Sequence, residues 1–132
     1  MGNSIKCILI LETEKEDLFT WLCHHINAYT QDVDCLYFLN DHYQVIVPNG
    51  TKLIYRAGVH FKIKTFTSLV FIWKTLCGWK SLMETPLTFE IYGIQKNIAY
   101  LEFNNTEFTR YPANKKPIHF DSIFSDFHRK LG

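Results

Sequence analysis

Near its start the chain runs Ile5-Lys6-Cys7-Ile8-Leu9-Ile10-Leu11, with Lys6 the one polar residue in the stretch. A strand exposed on one face alternates apolar and polar residues, so a nearly continuous apolar run marks a strand covered on both faces, in the middle of a sheet. Whatever fold forms must place this strand centrally. The chain has 132 residues, the size of an ordinary single domain, and we expect one α+β domain over residues 1–132. With 47% hydrophobic and 20% charged residues, a disordered or low-complexity chain is excluded.

After this strand the pattern changes. Thr13-Glu14-Lys15-Glu16 fits a capping box, and Leu18, Trp21, Leu22, His25, Ile26 and Tyr29 follow at helical spacing, so a helix is expected from Thr13. From Asp34 to Phe66 the period becomes two. Cys35–Leu39 and Tyr43–Val47 are expected as short strands separated by Asn40-Asp41-His42. Pro48-Asn49-Gly50 predicts a turn into Thr51–Arg56, and Ala57-Gly58 a second turn or a bulge before a strand over Val59–Lys64. Thr67-Ser68 caps an expected helix closed by Gly78, with a strand over Val70-Phe71-Ile72-Trp73 as the alternative. Leu87–Ile94 and Ile98–Phe103 flank Gln95-Lys96-Asn97 as a hairpin, and residues 104–117 are expected as a polar loop. A last helix carries Phe120, Ile123, Phe124, Phe127 and Leu131 on one face. The expected order is β-α-β-β-β-β-α-β-β-α, a mostly antiparallel sheet with about three helices packed against it.

Net charge is only +1, yet the charges are segregated. From Glu12 to Asp41 stand seven acids, Glu12, Glu14, Glu16, Asp17, Asp32, Asp34 and Asp41, against the single base Lys15. From His42 to Met83 there is no acid, while Lys52, Arg56, Lys62, Lys64, Lys74 and Lys80 are all basic. Such a dipolar chain presents local fields to a partner unless the two segments neutralise one another across the fold.

Known catalytic motifs are missing. There is no H-E-x-x-H, G-x-S-x-G, P-loop or G-x-G-x-x-G, so the mechanical core of a zinc peptidase, serine hydrolase or nucleotide enzyme is not written here. Cys23-His24-His25 is no metal site, because neighbouring side chains on a helix diverge by about 100°. Cys7, Cys23, Cys35 and Cys77 sit in apolar company without a C-x-x-C and are expected as reduced, small hydrophobes. No cofactor and no metal are expected. Nor does any apolar run reach membrane-spanning length, and no signal peptide is evident, so a cytoplasmic location and no membrane partner are expected.

Two surfaces remain as candidates. If residues 51–64 run straight, Lys52, Arg56, His60, Lys62 and Lys64 share one parity and form a basic strand face for successive phosphates. A small metal-independent ribonuclease would use His60 there for proton transfer. Opposed to this are an acidic patch of Glu12, Glu14, Glu16, Asp17, Asp32 and Asp34 and the aromatic residues Trp79, Tyr92, Tyr100 and Tyr111, which lie outside the clear core stripes. Aromatic anchors beside a charged patch suit a protein partner.

The aromatic-rich, motif-free α+β character is similar in general profile to bacterial immunity proteins, which bind and block one cognate toxin, as in contact-dependent growth inhibition. No residue motif carries the likeness, and it transfers no site. It implies a non-catalytic module whose partner is a toxin, often a nuclease with a basic cleft that would accept the acidic patch. The alternative is a nucleic-acid-binding protein or small ribonuclease using the basic face.

Overall fold

A computed structural model describes residues 4–17, 20, 33–82 and 86–131. Six strands form one sheet: β1 (Ile5–Thr13), β2 (Val33–Val47), β3 (Gly50–Ile63), β4 (Leu87–Gln95), β5 (Ala99–Asn104) and β6 (Phe108–Pro112). Their spatial order is β2-β3-β1-β4-β5-β6, and all pairings are antiparallel. Two helices described over their whole length, α1 (Phe66–Leu82) and α2 (His119–Leu131), complete the α+β fold.

The apolar run does occupy the centre. β1 pairs with β3 on one side and β4 on the other, and each of its faces holds a fully buried side chain. Ile5, Cys7, Leu9 and Leu11 point to the face that packs on Leu69, Ile72 and Leu76 of α1. Ile8 is equally buried on the opposite face. That face belongs to α2: Phe120 meets Tyr92, Tyr100 and Tyr111 edge-on at 5.6, 5.6 and 6.4 Å between ring centroids. The sheet is therefore the middle of three layers, and an alternating pattern in β1 would have left one helix without an apolar floor.

Several local expectations change. Cys35–Leu39 and Tyr43–Val47 belong to one strand, since Asn40, Asp41 and His42 stay in the ladder opposite Ala57, Arg56 and Tyr55, with a register shift only between Cys35 and Tyr37. Ala57-Gly58 makes no turn either, because both residues are held between the ladders of β1 and β2. Residues 108–112 form β6 rather than loop. Its Phe108 stacks on Phe103 at 4.5 Å, and Pro112 closes the strand at the sheet edge, where a missing N–H costs no ladder bond.

The expected turns hold where glycine or asparagine chemistry decides them. Gly50 has φ 135° directly after Pro48-Asn49, and Asn97 has φ 64° in the β4–β5 turn. The cap of α1 is Thr65, two residues before Thr67, its hydroxyl accepting from the Ser68 N–H at 3.1 Å. It also runs through Gly78 to Leu82, so that glycine is no cap. Of the helix expected over 13–29, Glu16, Asp17 and Thr20 are helical and the remainder lies outside the described residues. The Thr13 hydroxyl accepts from the Lys15 N–H at 3.4 Å in place of the expected bond from Glu16. No helix among the described residues is long and apolar enough to cross a membrane.

Candidate interaction surface

Because β3 is unbroken, Lys52, Arg56, His60 and Lys62 do share a face, the one on which α2 lies. They do not form a continuous basic strip. His60, expected on solvent, is 6% exposed and lies edge-on to Phe124 and Phe127 of α2 at 6.0 and 6.1 Å. This buried histidine divides the face, leaving Lys52 and Arg56 at one end and half-buried Lys62 with exposed Lys64 at the other. From Arg56 to Lys62 the strand rises about 20 Å.

At the first end the oppositely charged segments meet. Glu12 on β1 stands opposite Arg56 in the register, and its carboxylate lies 3.6 Å from the guanidinium Nε. Glu14 reaches Lys52 Nζ at 2.7 Å. The Tyr43 hydroxyl donates to the same Glu12 carboxylate at 2.8 Å, and this bond to an anion is the main reason that the phenol is held above its ordinary pKa. Beyond Tyr55↔Thr13 the β2–β3 ribbon extends past β1, carrying Tyr43, 41% exposed, and Ile46, 88% exposed. Glu16 and Asp17, which follow β1 in sequence, are exposed. Asp34 lies on β2 opposite Lys62, and Asp32 lies outside the described residues.

The four aromatic candidates are placed elsewhere. Tyr92 is buried, 7% exposed, with its hydroxyl donating to Glu90 at 2.6 Å; burial first, then that carboxylate, pushes its pKa well above the tyrosine range. Tyr100 and Tyr111 are half-buried around Phe120, and Tyr111 donates to Glu102 at 3.3 Å. Half-buried Trp79 packs against the core on the α1 side. These residues are spread over two layers, with three of them flooring α2.

A cavity of about 550 Å³ opens at the charged end, between β1, β3, β4, the last turn of α1 and the loop after β5. Its loop is tightly braced. Asn104 Oδ1 accepts from the N–H groups of Thr106 and Glu107 and from the Thr106 hydroxyl, while Asn105 Oδ1 accepts from the Phe89 N–H at 3.2 Å. The Trp73 indole donates to the Asn104 carbonyl at 2.8 Å, which ties the loop to α1. Sequence reading missed this site, because its residues come from separate strands and from a segment expected only as a polar loop. Cys7 and Cys77 are free thiols, both with pKa values raised chiefly by burial. No group of three or more metal-ligating side chains gathers among the described residues.

No protein-family profile, curated protein or solved structure matches the chain.

Proposed function

We propose that the chain is a non-catalytic protein-binding module, and that it serves as a cytoplasmic bacterial immunity protein that neutralises a cognate toxin by covering its active site. A contact-dependent growth inhibition nuclease is the kind of toxin envisaged. The observation that supports this reading is the matched charge at the ribbon end, with Lys52 paired to Glu14 and Arg56 to Glu12 beside exposed Tyr43 on the same face, while exposed Ile46 projects from the opposite face of the ribbon. A polyanion is drawn by uncompensated cations, whereas a protein partner accepts interspersed charges around an aromatic and an aliphatic anchor. Exposed Glu16 and Asp17 add the negative field that would steer a basic cleft.

The nucleic-acid alternative keeps Lys62 and Lys64, but its basic face is interrupted and His60, its candidate acid or base, is buried under α2. The experiment is charge reversal of Glu14 and Asp17 together, read by surface plasmon resonance against the protein partner captured on the tagged chain. Association should slow by about tenfold at low salt and by less at high salt. Unaltered association would remove the acidic patch from the reading.

A further inference from the structure

At the end of the sheet away from Tyr43, the last ladder row runs Val33, Ile63, Ile5, Gln95, Ala99 and Pro112. Just inside it Lys6 and Lys62 stand directly opposite each other, and like charges so placed repel. Just beyond it come Lys64 after β3, Lys96 in the β4–β5 turn, and Lys115 and Lys116 in the loop before α2. Lys116 Nζ lies 6.0 Å from the centre of the Tyr100 ring, which places that loop at the same end. Against these lysines the described residues set Asp121, paired to Lys116, and Asp34, opposite Lys62 in the register. Even with Asp32 counted, lysines outnumber acids two to one at this end. Glu102, further in, already accepts from the Tyr111 hydroxyl and meets His119. Lys6, Lys64, Lys96 and Lys115 hold no ion pair among the described residues.

Two isoleucines stand exposed among these cations. Ile98, 40% exposed, is in the β4–β5 turn, and Ile118, 92% exposed, comes two residues before Phe120, which packs on Tyr100 and Tyr111. An exposed aliphatic side chain gains nothing against a sugar-phosphate backbone. At a bilayer surface it leaves water for the acyl boundary while neighbouring lysines meet headgroup phosphates.

We infer that this end of the sheet docks on an anionic lipid bilayer, with Ile98 and Ile118 entering the acyl boundary and the lysines facing the headgroups. A peripheral contact needs neither a spanning run nor a signal peptide, so the expectation of no membrane partner drawn from their absence does not bear on it. The surface is independent of the toxin-binding reading, since Tyr43, Glu12 and Arg56 lie at the opposite end of the sheet.

The test is flotation of the full chain with vesicles of phosphatidylcholine alone and of equal parts phosphatidylcholine and phosphatidylglycerol. Binding should be confined to the anionic vesicles and fall as salt rises. Lys96→Glu with Lys115→Glu should weaken it by at least about tenfold, since each lysine near an anionic surface contributes roughly fivefold. Ile118→Ser should weaken it by at least about fivefold. All three positions are exposed, so the variants should keep the wild-type melting curve. Binding to neither vesicle, equal binding to both, or Ile118→Ser bound as tightly as wild type would overturn the inference. Retention on a DNA duplex without vesicle binding would overturn it too, and would assign the lysines to nucleic acid.

Discussion

Arg56 on β3 stands directly opposite Glu12 on β1, and its guanidinium lies 3.6 Å from that carboxylate, so the basic and acidic segments of the sequence close on each other. Both side chains are about a third exposed, as is Glu14, with Lys52 more so. Solvent-screened pairs of this kind contribute only about 0–1 kcal/mol each. Glu14→Lys should therefore leave thermal unfolding nearly unchanged, lowering stability by less than about 1 kcal/mol in a urea titration. Charge reversals here thus report on binding rather than on folding.

The floor of α2 is a different matter. Phe120 is fully buried and touches three tyrosines from β4, β5 and β6. Phe120→Ala should cost about 3–5 kcal/mol, measured by chemical denaturation, because the facing strands cannot collapse into the space.

Two glycines should respond with opposite signs. Gly78 lies in α1, where an added Cβ would meet nothing within 4 Å, so Gly78→Ala should raise stability by about 0.5–1 kcal/mol through helix propensity. At Gly93 the same methyl would stand 3.2 Å from Ile5 Cγ2, itself fully buried, and Gly93→Ala should destabilise by about 1–3 kcal/mol. Paired melting curves of the two variants check both.

Alkaline pH should loosen the α2 layer. Burial and the Glu90 carboxylate raise the Tyr92 pKa in the folded chain, so this phenol contributes stability below its ordinary value near 10, and the contribution is lost as pH rises toward the folded value. Wild type should lose melting temperature above about pH 10 more steeply than Tyr92→Phe. Parallel curves for the two proteins would contradict this.

The parts of the fold written in local pattern were legible. Ile5–Leu11 signalled a doubly covered central strand, Pro48-Asn49-Gly50 a turn, and Phe120, Phe124 and Phe127 the inward face of the last helix. Where pairing overrides local preference, the sequence misled. Asn40-Asp41-His42 and Ala57-Gly58 are turn-prone in isolation, yet each is held extended by a neighbouring strand, and β6 is stabilised by Phe103 and Tyr100 across the ladder despite Pro112. For the surface, the shared parity of Lys52, Arg56, His60 and Lys62 was readable, but not which of them a helix distant in sequence would cover. The pairing of Glu12 with Arg56 required the strand order β3-β1, which no local pattern encodes.

The central claim is that the ribbon end of the sheet engages a protein. Its most direct test is capture on the tagged full chain, with wild type compared against a Tyr43→Ala, Ile46→Asp variant, after nuclease treatment and a high-salt wash, read by quantitative mass spectrometry. We expect one stoichiometric protein partner that survives both treatments and is lost from the folded variant. Retention of the same partner by the variant, or material that disappears with nuclease, would contradict the account.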